Sequence, residues 1–300
     1  MEEVSFKRPE LTDRALIQSY FEKAPSRSCE RTFVNVYLWS RHYKVTFAVI
    51  EDSLVFKNGE TEPAFSYPAG EEQNVKRAIE FLMEYTKERD LPFKLYNVTE
   101  KNFEQLNSWY PDKFEIEYVR DIADYVYETE KLATLAGKKL HGKRNHINKF
   151  IKTNPDWSYE PLSDENMEEC FQMALKWRTQ NGCEDDVEKN AEMCVALNAL
   201  RLYKELEQVG GVLKVAGEVV AFTIGEPLCK DTFVVHIEKA FAEVDGAYPM
   251  INQQFVQHEC TDFLYVNRED DAGSEGLRKA KLSYRPAFME EKGIVKIKGE

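Results

Sequence analysis

Residues 263–286 read FLYVNREDDAGSEGLRKAKLSYRP. The run opens with the apolar residues Phe263–Val266, which are typical of a buried strand, and passes through a polar turn that ends at Gly273. Ser274 can cap a following helix, and Glu275 falls in its first turn, where the helix dipole stabilises a negative charge. Proteins of the α/β class often hold functional side chains where a strand ends and a helix begins. The stretch therefore predicts an α/β fold with a candidate site at this junction.

The charged residues of this stretch allow two interpretations. In the first, the turn supplies Asn267 and Glu269 to a site, and a helix expected over residues 275–284 supplies basic side chains. On that helix Lys279 and Lys281 point to nearly opposite sides, so we expect different roles for them. In the second interpretation, the acidic turn and the basic helix are ordinary solvated surface.

The composition is that of a folded globular chain. Of the 300 residues, 43% are apolar and 12% aromatic. That is enough to bury a core in one large domain or in two of about 150 residues. The net charge of -13 argues against a protein that coats nucleic acid or an anionic membrane with its whole surface, although a local basic patch remains compatible with it. The six cysteines form no CxxC pair, and we expect reduced thiols that pack in the interior.

Neither a membrane span nor a secretion signal is indicated. The chain has no run of about 18 apolar residues, the length from which a membrane helix is suspected, and its first residues, MEEVSFKRPE, lack an apolar core. We therefore expect a cytoplasmic location.

The most basic part of the chain is residues 131–155. It contains no acidic residue and carries Lys131, Lys138, Lys139, Lys143, Arg144, Lys149 and Lys152. Gly137 and Gly142 each weaken a continuous helix, so we expect a break near His141. In an acidic chain, this segment favours a site for a phosphate-rich ligand. The alternative is a solvated helix face.

From Trp157 onward the chain repeats the element types of the first half. Its strongest strand signal is a hairpin, in which two β-rich runs flank a turn at Gly217-Glu218. Since both halves read as helix, strands, helix and strand, we expect two mixed α/β domains, residues 1–156 and 157–300.

Several catalytic signatures are missing. The sequence has no GxSxG elbow, Walker loop, GxGxxG or HExxH motif, which disfavours simple hydrolases, kinases and dehydrogenases. His236 and Glu238 share one side of an expected strand, as in the His-x-Glu of zinc deaminases, but the accompanying PCxxC is absent and we expect no metal. The loop Phe241–Tyr248 offers backbone N–H groups to an anion or a carbonyl oxygen. The alternative for His236 is a hydrogen-bonded core histidine.

Short segments along the chain form a recognisable set. They are Gly137-Lys138-Lys139-Leu140, Lys143-Arg144-Asn145, Ile147-Asn148-Lys149-Phe150, Ile237-Glu238-Lys239 with Gly246-Ala247-Tyr248, and Asn267-Arg268-Glu269-Asp270 through Gly276-Leu277-Arg278-Lys279-Ala280-Lys281. The set resembles a bacterial family related to the C-terminal domain of phosphatidylglycerol lysyltransferase, and the resemblance spans nearly the whole chain. The wider group includes the Fem-type peptidoglycan enzymes, whose tandem GNAT domains move an aminoacyl group from aminoacyl-tRNA to an amine or a hydroxyl.

The resemblance implies a tandem GNAT-like fold and an acyl or aminoacyl transferase with its site in the second domain. The implied donor is aminoacyl-tRNA, with acyl-CoA as the alternative. The loop around Gly246-Ala247 lacks the basic, glycine-rich pattern that holds the CoA pyrophosphate in such folds, which favours aminoacyl-tRNA. The implied acceptor is a small molecule, a peptide or a lipid headgroup. A contact with tRNA is expected through residues 131–152, and no further cofactor is implied.

Acyl transfer requires a base, donors to an oxyanion and a proton for the leaving group. We expect Glu238 or Glu269 as the base, Tyr248 or Tyr284 as the proton donor, and backbone N–H groups around Lys239 and Phe241 as the oxyanion donors. The residues expected to bind the donor are Lys143, Arg144, Gly246, Ala247, Asn267, Arg278, Lys279 and Lys281. The alternative function is a non-catalytic protein on the same scaffold that binds a nucleotide, a tRNA end or a peptide.

Overall fold

A computed structural model describes residues 4–59 and 61–299. It is a mixed α/β structure with two mixed sheets, as the sequence predicts. Within those two ranges, no helix has both the length and the apolar character that crossing a membrane requires.

Three of the described helices begin at a residue whose side chain caps the N-terminus. Thr32, Thr99 and Asp186 each accept a hydrogen bond from a backbone N–H of the first turn that follows them, which is the usual way to satisfy a helix N-terminus. The helices are α1 (Arg14–Lys23), α2 (Phe33–Trp39), α3 (Glu72–Glu88), α4 (Glu100–Trp109), α5 (Thr129–Thr134), α6 (His141–Thr153), α7 (Met167–Gln180), α8 (Val187–Arg201), α9 (Ala247–Glu259) and α10 (Glu275–Leu282).

The strands lie between these helices along the chain or after the last of them, singly or in runs of up to three. They are β1 (Thr46–Ile50), β2 (Ser53–Asn58), β3 (Ala64–Ser66), β4 (Lys94–Thr99), β5 (Phe114–Tyr118), β6 (Asp124–Glu128), β7 (Trp157–Pro161), β8 (Val209–Val215), β9 (Glu218–Cys229), β10 (Thr232–Ala240), β11 (Tyr265–Asn267), β12 (Phe288–Glu290) and β13 (Lys292–Ile297). The expected hairpin around Gly217-Glu218 is confirmed as β8 and β9.

The chain divides into two compact units. The first takes in the chain up to Asp124, Asp270–Ser274 and the chain from Met289 onward. The second takes in Tyr125–Glu269 and Glu275–Phe288. The first unit contains a continuous buried core of apolar side chains.

The first unit is built on a six-stranded sheet in the order β1-β2-β3-β4-β13-β5. Its parallel pair, β3 and β4, is connected by α3. Ile79 and Leu82 of α3 lie fully buried in the same cluster as Leu95 and Val98 of β4. Each such side chain contributes about 1.5–3 kcal/mol through burial, so the apolar face of α3 fixes the helix on the sheet.

The second unit is built on a seven-stranded sheet in the order β12-β6-β11-β10-β9-β8-β7. Its parallel pair, β10 and β11, is connected by α9, and Phe233 of β10 packs on Phe255 of α9 with ring centroids 5.7 Å apart. Each unit therefore runs through two helices, antiparallel strands, a helix and a parallel strand. This is the GNAT-like order that the resemblance implies.

The division differs from the expected domains, residues 1–156 and 157–300. The segment from residue 125 to residue 156 belongs to the second unit, because β6 pairs with β11. The closing strand β13 belongs to the first unit, where it pairs with both β4 and β5. A strand carries no sequence mark of the sheet it will join, so the local pattern could not reveal this exchange.

The predicted break near His141 is confirmed. Helix α5 stops where Leu135 takes a left-handed conformation, and Gly137 follows with a φ of +93°. A short 3-10 turn, Lys138–Leu140, then leads into α6, which begins at His141. The glycine permits the backbone reversal that separates the two helices.

Candidate functional site

The candidate site lies in the second unit, where the parallel strands β10 and β11 separate. Their pairing ends at Val234 and Asn267, because β11 stops there, whereas β10 continues to Ala240. Beyond this point the gap between the two chain segments is bridged by side chains rather than by backbone hydrogen bonds. Two bridges cross it, and each joins one residue of β10 to one residue that follows β11.

The first bridge joins Glu238 to Arg268. Nη2 of Arg268 donates to Oε1 of Glu238 at 2.8 Å, and Nδ2 of Asn252 donates to the other carboxylate oxygen at 2.9 Å. Burial opposes the charge of the guanidinium, but Glu238 and the neighbouring tyrosines raise the pKa of Arg268 further, so it is always protonated. Two buried atoms here, Nη1 of Arg268 and Oδ1 of Asn252, have no hydrogen-bond partner among the described residues. One of these atoms is a donor and the other an acceptor.

Lys143 and Tyr284 complete this cluster. The guanidinium carbon of Arg268 lies 4.8 Å from the centroid of the Tyr284 ring, and the ammonium of Lys143 lies 4.0 Å from the same centroid. Burial lowers the pKa of Lys143, and the nearby Arg268 lowers it further, while Glu238 opposes both effects. Burial raises the pKa of Tyr284, so its phenol stays protonated at neutral pH. We name Lys143, Glu238, Asn252, Arg268 and Tyr284 the splay cluster.

The second bridge joins His236 to Glu269. Nδ1 of His236 lies 2.7 Å from Glu269 and Nε2 lies 3.0 Å from Glu226, so the buried imidazole sits between two carboxylates. Burial alone would lower the pKa of His236, but the hydrogen bonds and charges of the two carboxylates raise it to about 9. An imidazolium held in this way fixes its partners and does not act as a base at neutral pH.

The backbone conformation of the turn after β11 determines where the side chains of Arg268 and Glu269 point. The buried Oδ1 of Asn267 accepts a hydrogen bond from the backbone N–H of Glu269 at 2.6 Å, and Glu269 takes a φ of +56°. Nζ of Lys281 donates to the carbonyl oxygen of Arg268 at 2.6 Å, and the Tyr127 hydroxyl donates to the carbonyl oxygen of Lys281 at 2.8 Å. Asn267 and Lys281 therefore shape the site through the backbone.

The loop before α9 lies against α6. Gly246 has a φ of +84°, and a Cβ at this position would lie 2.6 Å from the carbonyl oxygen of His146 and 2.9 Å from Cβ of Phe150. Nζ of Lys149 donates to Asp245 of the same loop. Ala247, the first residue of α9, is buried. The expected donor-binding loop is thus covered by a helix of the protein itself.

The other expected site residues lie elsewhere on the second unit. The Arg144 guanidinium donates to the carbonyl oxygens of Leu135 and Gly137, which places it across the end of α5. Arg278 is half-buried and Lys279 exposed on α10. Tyr248 is half-buried in the first turn of α9, beside Trp177, and burial raises its pKa.

Backbone N–H groups around Phe241 were expected to serve as oxyanion donors. The N–H of Phe241 instead donates to the carbonyl oxygen of Val220 at 3.0 Å. In the splay cluster, the buried donor without a partner among the described residues is a side-chain atom, Nη1 of Arg268.

Sequence reasoning missed two members of the splay cluster, Arg268 and Asn252. Asn252 carried a signal: it is a polar residue among the apolar buried positions of α9 and is 1% exposed. Buried amides usually hydrogen-bond to another polar group, so its position could have pointed to Glu238. Arg268 is part of the resemblance but was not assigned a role.

The first unit holds a separate buried polar group. Ligand atoms of Cys29, Glu30 and Asp124 lie within 4.8 Å of one another, a spacing that suits a metal. However, the fully buried Nζ of Lys292 lies 2.7 Å from Glu30 and 2.8 Å from Asp124. The ammonium supplies the positive charge that a metal would bring.

Comparisons with known proteins agree with this fold. A model of the family described as phosphatidylglycerol lysyltransferase, C-terminal, matches residues 21–295. A crystal structure of a conserved protein of unknown function from Bacteroides thetaiotaomicron VPI-5482 has a TM-score of 0.92 and 38% identity over 99% of this chain and 100% of that one. The C-terminal domain of a putative lysylphosphatidylglycerol synthetase from Agrobacterium fabrum shares the fold, with a TM-score of 0.69 and 12% identity over 97% of this chain and 93% of that one.

A further relative is an uncharacterised protein of Mycoplasmoides gallisepticum, which is 28% identical over 198 residues. The match covers 63% of this chain and 61% of that protein. The family model spans nearly the whole chain from residue 21 to residue 295. The chain therefore belongs to the family of phosphatidylglycerol lysyltransferase C-terminal domains.

Proposed function

We propose that the protein transfers an aminoacyl group from aminoacyl-tRNA to an amine or hydroxyl acceptor at the splay cluster. The observation that carries the proposal is a pair of buried atoms on either side of Glu238, Nη1 of Arg268 and Oδ1 of Asn252, that have no hydrogen-bond partner within residues 4–59 and 61–299. An unsatisfied buried polar group is unfavourable by about 1–3 kcal/mol, so such a pair is expected to have a ligand.

The geometry around Gly246 supports aminoacyl-tRNA over acyl-CoA as the donor. In acyl-CoA enzymes of this fold, the loop at this position holds the pyrophosphate through free backbone N–H groups. Here α6 lies against Gly246, and Asp245 of the loop is already bound to Lys149 of α6. The ion pair between Glu238 and Arg268 also fills the gap between β10 and β11.

The proposed step is an acyl substitution. The acceptor nitrogen or oxygen attacks the ester carbonyl carbon, which forms the new bond and places negative charge on the carbonyl oxygen. Nη1 of Arg268 donates to that oxygen, in the manner of an oxyanion hole. Glu238 takes the proton of the acceptor, and the Tyr284 phenol protonates the ribose oxygen of tRNA as the ester C–O bond breaks.

The remaining residues support this arrangement. His236 and Asn267 fix the turn that carries Glu269 and Arg268 and are positioning residues. Lys143 lies beside the ring of Tyr284, close enough to meet a phosphate near the aminoacyl end. The acceptor is a small molecule, a peptide or a lipid headgroup. The family description names phosphatidylglycerol, which favours the lipid headgroup.

Donor preference is tested by thermal unfolding with three ligands: a tRNA carrying an amide-linked amino acid that cannot be transferred, the same tRNA uncharged, and acetyl-CoA. A ligand at 100 times its Kd adds about 2.7 kcal/mol to the free energy of unfolding. We expect the aminoacyl form to stabilise most and acetyl-CoA not at all. Stabilisation by acetyl-CoA alone would overturn the proposal. Tight tRNA binding without any transfer would instead favour the non-catalytic alternative.

A further inference from the structure

A basic cavity lies in the first unit, at the end of α2. Its volume is ≈ 560 Å³. The described residues that line it include four with positive charge and none with a carboxylate: Arg8, Arg41, Lys44 and Lys57. In a chain of net charge -13, four cations around one cavity are a marked local reversal of the electrostatic potential.

Three of these cations have no neutralising partner among the described residues. Within residues 4–59 and 61–299, Arg8, Arg41 and Lys57 make no ion pair. Lys57 lies 4.5 Å from the centroid of the Phe6 ring, and burial lowers its pKa. Bringing like charges together without a counter-ion is unfavourable, and the usual compensation is a bound polyanion.

Aromatic residues adjoin the cavity-lining residues Ser40, Arg41 and Lys44 in sequence. Tyr43 is 56% exposed, although its ring stacks on Trp39 with centroids 5.5 Å apart. His42 meets the same tyrosine edge-on at 4.7 Å. Exposed rings beside a basic groove are the pattern with which proteins bind single-stranded nucleic acid, because bases stack on the rings while cations hold the phosphates.

We propose that this cavity of the first unit binds the phosphate backbone of RNA, with Tyr43 as a stacking surface for an unpaired base. The inference rests on the proposed function, which supplies tRNA as the RNA that the protein meets. It adds a contact that the sequence placed only in residues 131–152 of the second unit. Arg8, Arg41 and Lys57 would each pair with a phosphate oxygen.

The test is the binding of uncharged tRNA to the whole protein, measured by fluorescence anisotropy over a salt series. The variant is Arg41→Gln/Lys57→Gln, and the matched control is Lys87→Gln/Lys101→Gln, which removes two exposed lysines of the same unit outside the cavity. We expect the cavity variant to bind on the order of tenfold more weakly and to lower the salt slope by roughly one per cation, with the control unchanged.

Equal loss in the two variants, or no loss in either, would overturn the inference and leave the proposed function standing. No tRNA binding by the parent protein would overturn both. A second variant, Arg8→Gln/Arg41→Gln, repeats the test without touching the partly buried Lys57 and must give the same result. Unchanged thermal unfolding of the variants ensures that the fold is not the cause.

Discussion

Arg268 donates to Glu238 at 2.8 Å across the gap between β10 and β11, which joins two residues that are 30 positions apart in sequence. The gap begins where the pairing of the two parallel strands ends, at Val234 and Asn267. The ion pair therefore both closes the gap and presents the unpartnered Nη1 of Arg268 at a fixed position. The predictions below test the contacts that hold this arrangement.

His236 gives the protein a pH-dependent stability. Its pKa is raised to about 9 in the folded state, above the ordinary value of 6.5. The stabilisation is fully present below pH 6.5 and is lost as the pH rises through about 9. A shift of this size corresponds to about 3 kcal/mol in the free energy of unfolding. Urea titrations at several pH values should show the loss in the parent and not in His236→Gln. The control is His141→Gln, at an exposed histidine, and this variant should show the same loss of stability with rising pH as the parent.

Gly246→Ala tests the close approach of α6 to the loop. The new Cβ would meet the carbonyl oxygen of His146 at 2.6 Å, in addition to the strain of a positive φ. Gly217→Ala is a matched control, because its φ of +81° is similar but nothing lies within 4 Å. We expect about 1–2 kcal/mol of destabilisation in the control from φ alone, and a clearly larger loss at Gly246. Equal losses in urea unfolding would show that α6 does not cover the loop.

Tyr284→Phe separates chemistry from packing. It removes the phenol that we assign to leaving-group protonation but keeps the ring beside Arg268 and Lys143. We expect kcat to fall by about 10²-fold or more, the usual range for a general acid, with little change in stability. Tyr127→Phe should lower stability and leave kcat unchanged, because the Tyr127 hydroxyl donates a hydrogen bond to the carbonyl oxygen of Lys281. That change should cost about 1–2 kcal/mol of stability and spare kcat.

Lys292→Met tests the buried group of the first unit. It leaves the carboxylates of Glu30 and Asp124 without their cation, and removing one partner of a buried ion pair is unfavourable by about 3–5 kcal/mol. The exposed pair of Lys298 with Asp112 provides the control, and Lys298→Met should change stability by about 0–1 kcal/mol. Similar unfolding midpoints for the two variants would contradict the assignment.

Much of the local structure could be predicted from the sequence. The strand, turn and helix within residues 263–286 and the break before His141 follow from apolar runs, glycines and caps, which act over a few residues. The two units could not be delimited in this way. The partners of β13 are set by tertiary packing, and a six-residue strand gives no indication of which sheet it completes.

The candidate site could be predicted in outline. Glu238, Tyr284 and Lys143 were assigned to one site although they are far apart in sequence, and all three lie around Arg268. The sequence alone does not reveal which charged side chains form ion pairs with one another. Glu269 was expected as a base, yet it is bound to an imidazolium whose protonation depends on Glu226, a residue that no motif marks.

The central claim is tested most directly by following a radiolabelled aminoacyl group from tRNA to acceptors in a single turnover. The acceptors are phosphatidylglycerol vesicles and free amines, and the proteins are the parent, Glu238→Gln and the exposed control Glu218→Gln. We predict that label leaves tRNA and appears on one acceptor with the parent and the control, and that Glu238→Gln lowers the rate by at least about 10²-fold. Transfer by Glu238→Gln at the parental rate would contradict the assignment of the reaction to the splay cluster.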